Sequence, residues 1–177
     1  MNTFAEFARD SDLIKQAEDF ATERHKGQTR KFSGEPYINH PKAVAQLVSD
    51  FGGDAEMVTA AWLHDVVEDT GTSIEEIEDL FGNNVAGYVL ELTHDIKDKS
   101  KKGEILADRM NEMSQGALLI KLCDRLNNVS DFETAKPSFV AKYKPETEYI
   151  LSHLKSPNLK EIHQRVIGAI QKAIEPY

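Results

Sequence analysis

The densest group of side chains able to do chemistry lies between His64 and Asp69, where one histidine and three carboxylates fall within six residues. A helix predicted from about Asp54 to Asp69 would place all four on adjoining stripes of one surface, because His64 and Glu68 are four residues apart, as are Asp65 and Asp69. Carboxylates near a helix C-terminus oppose the helix dipole and repel one another. A solvated acidic face is one interpretation, and a bound cation that reverses the repulsion is the other.

Two further residues could complete a metal site. His40 precedes Pro41 at a predicted helix start, from which a side chain can project inward from a fixed backbone. Asp124 lies in the middle of an otherwise apolar helical segment, where a buried carboxylate is costly unless it is paired or bound to metal. A salt bridge to Lys121 or Arg125 is the alternative for Asp124.

Two imidazoles and two carboxylates form a mixed nitrogen and oxygen donor set that suits Mn²⁺, Fe²⁺ or Zn²⁺ better than Mg²⁺ or Ca²⁺. The four predicted ligands are His40, His64, Asp65 and Asp124. Such an ion polarises a phosphoryl group and lowers the pKa of bound water toward about 7. Glu68 and Asp69, one helical turn further on, could orient that water or exchange protons with it. The pattern therefore predicts a divalent-metal phosphohydrolase.

Helical periodicity dominates the elements that must position these side chains. Apolar residues recur three and four apart through Leu13–Phe20, Val44–Phe51, Met57–Val67 and Leu118–Leu126. Ser73 and Glu76 form a capping box before another helix, and Gly82 ends it. We expect an all-α bundle of about eight to ten helices, with a loop or short β-hairpin over residues 27–37. No repeat or linker divides the chain, so residues 1–177 are expected to form a single domain.

Composition excludes several classes of protein. A chain of 177 residues with 40% hydrophobic and 29% charged residues is typical of a globular domain. The net charge of −9 argues against nucleic-acid binding through many phosphates. Cys123 is the single cysteine, so an internal disulfide is excluded. No membrane-spanning apolar stretch or signal-peptide pattern is found, and a cytoplasmic location without membrane partners is expected.

Two basic clusters could still bind a small phosphorylated ligand. The first comprises Arg24, Lys26, Arg30 and Lys31, and the second comprises Lys97, Lys99, Lys101 and Lys102. Asp98 and Gly103 beside the second cluster indicate a mobile loop, which favours a solvated lysine face there.

Four ordered sequence blocks resemble the HD-domain phosphohydrolases. Within them the chain resembles the hydrolase domain of the RelA/SpoT homologue superfamily and the stand-alone small alarmone hydrolases, including the metazoan SpoT homologue. The blocks are His25-Lys26-Gly27-Gln28 with Arg30-Lys31, Ser33 to Pro41, His64 to Thr70, and Lys121 to Asn128. An isolated His-Asp pair carries little information, whereas four blocks in order over residues 25–128 are specific.

The resemblance implies an HD-domain fold, a site and an activity. One Mn²⁺ per chain would be held by His40, His64, Asp65 and Asp124, with Glu68 and Asp69 serving the attacking water. Arg30, Lys31, Ser33 and Asn128 would line the nucleotide pocket. The implied reaction is manganese-dependent removal of the 3′-pyrophosphate from guanosine tetra- or pentaphosphate, which gives GDP or GTP and pyrophosphate.

Departures from the family pattern affect the choice of base. Phe32 is an extra residue before the Ser33-Gly34 turn, and Ser130-Asp131 stands where long RelA/SpoT proteins tend to have Arg-Thr, although the metazoan type also has the aspartate. Hydrolysis of adenosine analogues, or removal of the 2′-phosphate of NADPH, is therefore an alternative use of the same site. A non-catalytic nucleotide-binding module is the alternative from a different class.

The C-terminal part is predicted to contain two amphipathic helices over residues 144–177, after a connection at 135–144 in which Pro137 and Pro145 limit helix formation. These helices could cover the core or form a homodimer interface. The sequence does not distinguish the two.

Overall fold

The computed structural model describes residues 4–177, which form ten α-helices joined by short connections. The helices are α1 (Phe4–Arg24), α2 (Asn39–Phe51), α3 (Ala55–Leu63), α4 (Val66–Asp69), α5 (Ile74–Phe81), α6 (Asn83–Leu92), α7 (Lys102–Glu112), α8 (Gln115–Ser130), α9 (Pro137–His153) and α10 (Glu161–Ile174). Three short 3-10 turns lie at Lys99–Lys101, Asp131–Glu133 and Ser156–Asn158. The predicted all-α bundle is confirmed.

Residues 27–37 form a hairpin-like loop without strands. A single antiparallel bridge pairs Thr29 with Pro36, and the Arg30 N–H donates to the Glu35 carbonyl at 2.7 Å. Gly34 has φ +73°, a left-handed conformation that glycine adopts without the steric cost of a Cβ. The loop therefore turns back on itself between α1 and α2.

Helices α3 and α8 form the centre of the bundle. The Ser114 side chain caps α8 by accepting from the Ala117 N–H, and eleven residues of α8 are buried. Asp54 caps α3 by accepting from the Met57 N–H, and every residue from Val58 to Leu63 is buried. Helices α1, α2 and α6 pack on α3, while α2, α6 and α10 pack on α8. Side chains that leave these two helices at their ends or polar positions therefore start from rigid backbone.

The helix expected from Asp54 to Asp69 is interrupted, which corrects the prediction. Helix α3 ends at Leu63 and α4 begins at Val66, with His64 and Asp65 in a turn between them. Asp65 has φ −106° and ψ −6°, in the sparsely populated bridge region where active-site residues are often found. The His64 and Asp65 side chains therefore leave the chain at a break and not from a continuous helical face.

The C-terminal part also differs from expectation at its start. Helix α9 begins at Pro137 and continues through Pro145, so residues 137–144 are helical. Proline is tolerated at the first helical position because no N–H is needed there. Pro145 has no N–H to donate to the carbonyl of Ala141, four residues earlier. Both residues are exposed, so water can bind that carbonyl instead.

Buried contacts attach α9 to α8. Arg125 donates to Thr147 Oγ1 at 2.8 Å and to Glu146 Oε1 at 3.2 Å, and its guanidinium lies over the Tyr143 ring. Among residues 4–177, none of the helices combines the length and the apolar character that crossing a bilayer requires.

Candidate active site

His40 projects from the start of α2 into the interior with its ring orientation fixed. Its side chain is buried, and its Nδ1 lies 2.6 Å from Asn127 Oδ1 on α8. Because an amide oxygen only accepts, the proton is assigned to His40 Nδ1. The Nε2 atom of His40 is thereby left as the acceptor of a neutral imidazole.

His64 has the same arrangement with a backbone acceptor. Its Nδ1 donates to the Ala61 carbonyl at 2.7 Å. A continuing helix would use that carbonyl for the N–H of Asp65, so this side-chain bond accounts physically for the helix break after α3. His64 Nε2 is buried and has no hydrogen-bond partner among the described residues.

The two carboxylates predicted as ligands approach these imidazoles. Asp65 Oδ2 lies 3.0 Å from His64 Nε2 and 3.6 Å from His40 Nε2, while Asp124 Oδ1 lies 3.2 Å from His40 Nε2. The donor atoms of His40, His64 and Asp65 all lie within 4.8 Å of one another. Asp124 adjoins this group on the His40 side.

These residues fit a divalent metal ion. His64 Nε2 is buried, makes no hydrogen bond with a described residue and lies 3.0 Å from Asp65 Oδ2, so a metal ion bound by both atoms would satisfy them together. A His whose Nδ1 donates to a carbonyl or amide presents Nε2 in the tautomer that binds metal. The structure thus supports a divalent-metal site without identifying the metal.

The electrostatics of the cluster favour a cation. Burial lowers the pKa of His64, but the carboxylates of Asp65 and Asp124 raise it more, to about 9. Burial would raise the pKa of Asp65, but the nearby His64 and His40 hold it well below its usual range. The negative potential that retains a proton on His64 in the metal-free protein also attracts a divalent ion, and binding would displace that proton.

Asp124 forms the salt bridge to Lys121 that was one interpretation of the sequence, and it also faces the predicted metal ligand His40. Its Oδ2 accepts from Lys121 Nζ at 3.0 Å, while its Oδ1 faces His40 and accepts from the Asn128 amide at 2.7 Å. Arg125 contacts α9 instead. Lys121 and Asn128 therefore orient a carboxylate that can still offer Oδ1 to a metal.

Glu68 and Asp69 lie beside the cluster in the wall of a cavity of about 620 Å³. Glu68 accepts weakly from the His94 N–H at 3.4 Å. Burial, followed by the charge of Asp65 among the raising effects, elevates the pKa of both carboxyls above their ordinary values. Both carboxyls line the same cavity as the predicted metal ligands His40, Asp65 and Asp124.

The four predicted nucleotide contacts are divided between two adjoining cavities. Arg30 and Asn128 line both the 620 Å³ cavity and a second one of about 220 Å³. Lys31 and Ser33 line the smaller cavity but not the larger. The two cavities share Arg30, Tyr37, Asn128 and Phe139 in their linings.

Some contributors to the site were missed from sequence. Tyr37, which packing alone could explain, donates from its hydroxyl to Asp65 Oδ2 at 2.6 Å. Lys99 and Lys102 line the large cavity with Lys121 and Lys142, and Lys99 is also exposed to solvent. Tyr37 could have been found from its position three residues before His40, in the turn where the His40 N–H donates to the Tyr37 carbonyl.

Replacing Tyr37 with phenylalanine should weaken metal binding about 10- to 100-fold, the usual cost of losing a group that orients a metal ligand. Calorimetric titration of the metal-free protein with Mn²⁺ measures the change. Tyr88→Phe is the matched control, because Tyr88 lines none of the described cavities. Equal Mn²⁺ affinity in Tyr37→Phe and the wild type would show that the hydroxyl does not position Asp65.

Comparisons with known proteins agree with this geometry. Residues 17–158 match the family model described as HD domain. The chain is 43% identical over 132 residues to guanosine-3′,5′-bis(diphosphate) 3′-pyrophosphohydrolase MESH1 of Xenopus tropicalis, covering 72% of this chain and 74% of the relative. The mouse protein of the same name is 33% identical, with 92% and 93% covered.

A longer relative and a solved structure extend the comparison. A probable guanosine-3′,5′-bis(diphosphate) 3′-pyrophosphohydrolase of Synechocystis is 42% identical, but the chain spans 20% of its length. The structure described as a metazoan ortholog of SpoT that hydrolyzes ppGpp superposes with a TM-score of 0.79 at 27% identity, covering 93% of this chain and 97% of that one. The chain therefore belongs to the HD-domain family of hydrolases, and within it to the RelA/SpoT homologue superfamily.

Proposed function

We propose that this protein is a manganese-dependent guanosine-3′,5′-bis(diphosphate) 3′-pyrophosphohydrolase. It would convert guanosine tetra- or pentaphosphate into GDP or GTP and release pyrophosphate. The observation that carries the proposal is one cavity whose lining combines the predicted metal ligands His40, Asp65 and Asp124 with several cationic side chains. The relatives named for this reaction supply the substrate class.

The cation-lined wall suits a substrate with two phosphorylated positions. The basic residues of the 620 Å³ cavity are Arg30, Lys99, Lys102, Lys121, Arg125 and Lys142. Lys121 and Arg125 already have acidic partners, Asp124 and Glu146. Lys99 and Lys142 have no ion-pair partner among the described residues, so they remain available to neutralise phosphate charge.

His40, His64, Asp65 and Asp124 would hold the metal. When bound, Mn²⁺ supplies polarisation of a phosphoryl oxygen and lowers the pKa of a coordinated water toward about 7. Glu68 and Asp69 accept a proton from the attacking water, and their raised pKa values make them stronger bases than ordinary carboxylates. The water oxygen forms a bond to the phosphorus next to the 3′-oxygen as the P–O3′ bond breaks, and the proton that the carboxylate took from the water is returned to O3′, which leaves as the hydroxyl.

Purified protein with Mn²⁺ and guanosine tetraphosphate should release one pyrophosphate and one GDP per substrate, measured by chromatography of the products. A chelator should abolish the reaction, and added Mn²⁺ should restore it. Adenosine analogues and NADPH are assayed in parallel. Release of single phosphate from NADPH with no pyrophosphate from the guanosine substrate would contradict the proposal.

Two variants separate metal binding from proton transfer. His64→Ala should lose Mn²⁺ affinity by more than about 100-fold together with activity, since even groups that orient ligands account for about 10- to 100-fold. Glu68→Gln keeps the side-chain shape and should retain Mn²⁺, but lower kcat about 10²- to 10⁴-fold. Calorimetry and kinetics on both proteins test this, and the reverse pattern would overturn the assigned roles.

Three expectations stay predictions. The first is that residues 1–177 form a single domain, although residues 1–3 lie outside the described part. The second is a cytoplasmic location without nucleic-acid partners. The third is a homodimer formed through the C-terminal helices.

A further inference from the structure

His25 is a buried histidine that lies outside the metal-ligand cluster and lines none of the described cavities. It is 2% exposed and directly follows the last residue of α1. Its Nε2 atom is buried and makes no hydrogen bond with a described residue, while its Nδ1 lies 2.8 Å from Gln28 Oε1. The bond to Gln28 is therefore the feature that can link this buried ring to the rest of the site.

The proton positions in this bond follow from the other end of the Gln28 amide. Gln28 Nε2 lies 3.1 Å from the backbone carbonyl of Asp69, and a carbonyl oxygen only accepts. The amide must therefore direct its NH₂ group to Asp69 and its oxygen to His25. His25 Nδ1 then carries the proton and donates it to Gln28. Two hydrogen bonds thus run in sequence from His25 through Gln28 to Asp69.

Helix α4, which ends at Asp69, needs such a contact to hold its position. It is a single turn of four residues, Val66–Asp69, and helix formation is unfavourable in so short a segment by itself. The last four carbonyls of a helix also lack partners within the helix. Gln28 supplies a donor to one of them, the carbonyl of Asp69. The bond therefore fixes the backbone of a residue that lines the large cavity.

Gln28 is itself held in place through its backbone. Its N–H donates to the His25 carbonyl at 3.0 Å, and its carbonyl accepts from the Tyr37 N–H at 2.9 Å. Gly27, which precedes it, has φ +82°, a conformation that glycine adopts without the steric cost of a Cβ. The His25 ring also packs against Tyr37, with 4.9 Å between ring centroids. The Gln28 side chain therefore extends to Asp69 from a fixed turn.

We propose that His25 is a positioning residue for Asp69 and acts on it through Gln28. This inference rests on the proposed function, because it takes Asp69 to accept a proton from the attacking water. Displacement of a reacting group by about 1 Å can lower a rate on the order of 100-fold. The two hydrogen bonds keep Asp69 in place without contacting the metal, since neither ring nitrogen of His25 bonds to a predicted metal ligand.

Three substitutions of His25 test the assignment. His25→Phe keeps a flat ring against Tyr37 but removes the donor, so kcat should fall about 10- to 100-fold while KM and Mn²⁺ affinity stay unchanged. His25→Gln should behave in the same way, because its amide nitrogen reaches the position of Nε2. His25→Asn places its amide nitrogen at the position of Nδ1 and should restore most of the rate. Steady-state kinetics and calorimetric titration with Mn²⁺ measure these quantities.

Gln28→Met breaks the same chain at a side chain that is only partly buried, where loss of the fold is not expected. It should lower kcat to the same extent as His25→Phe. His153→Phe is the matched control and should keep the wild-type kcat. His153 Nδ1 also lies 2.8 Å from an acceptor, the Tyr149 carbonyl, but the residue is exposed and lines none of the described cavities.

A double mutant shows whether the effect passes through Asp69. In an Asp69→Asn background, His25→Phe should cause no further loss of kcat, because residues that act through one another are not additive. An undiminished loss in that background would overturn the inference. It would also be overturned by a wild-type rate in His25→Phe, or by equal rates in His25→Asn and His25→Phe.

Absence of pyrophosphate release by the wild-type protein would instead contradict the proposed function. Amide hydrogen exchange, measured by NMR, then decides the inference without activity. The N–H groups of Asp69 and Thr70 close the turn of α4. Their exchange should become about 2- to 10-fold faster in His25→Phe and Gln28→Met, as for the loss of one hydrogen bond, but not in His25→Asn. Unchanged exchange in all three variants would overturn the inference.

Discussion

The site depends on two hydrogen bonds, in which the Nδ1 atoms of His40 and His64 donate to neighbouring oxygen atoms. A neutral imidazole carries one N–H, so donation from Nδ1 to Asn127 or to the Ala61 carbonyl leaves Nε2 as a lone-pair donor. Both rings leave the backbone at helix ends, His40 at the start of α2 and His64 just after α3. Because α2 packs on both α3 and α8, the two Nε2 atoms converge on the carboxylates of Asp65 and Asp124.

Charged and polar groups surround the two carboxylates. Tyr37 and Lys121 each hold one carboxylate by hydrogen bonding, so the ligand oxygens keep their positions despite mutual repulsion. Burial and the charge of Asp65 keep the phenol protonated by raising the pKa of Tyr37. Lys99, Lys102 and Lys142 add positive charge to the lining of the same cavity. A divalent ion bound by the carboxylates and phosphates bound by the lysines would neutralise both groups of charges together.

Local patterns predicted much of this because they act over short distances. The cap of α5 is an example: Ser73 accepts from the Glu76 N–H as its spacing predicts. The break at His64 could not be foreseen, since no glycine or proline marks it and its cause is a side-chain bond to Ala61. The Arg30–Asp131 pair spans 101 residues, and only the packed fold brings its members together. That Lys99 and Lys102 line the large cavity could not be predicted either, because the side on which a loop faces is set by the helices around it.

Anomalous diffraction from a crystal soaked in Mn²⁺ would locate the metal ion and its ligands directly. We expect one strong peak per chain, ligated by His40 Nε2, His64 Nε2 and carboxylate oxygens of Asp65 and Asp124, with ligand distances of about 2.0–2.2 Å as for similar nitrogen and oxygen ligands. A peak ligated by Glu68 and Asp69 without the two histidines, or no peak at a Mn²⁺ concentration that supports catalysis, would contradict it.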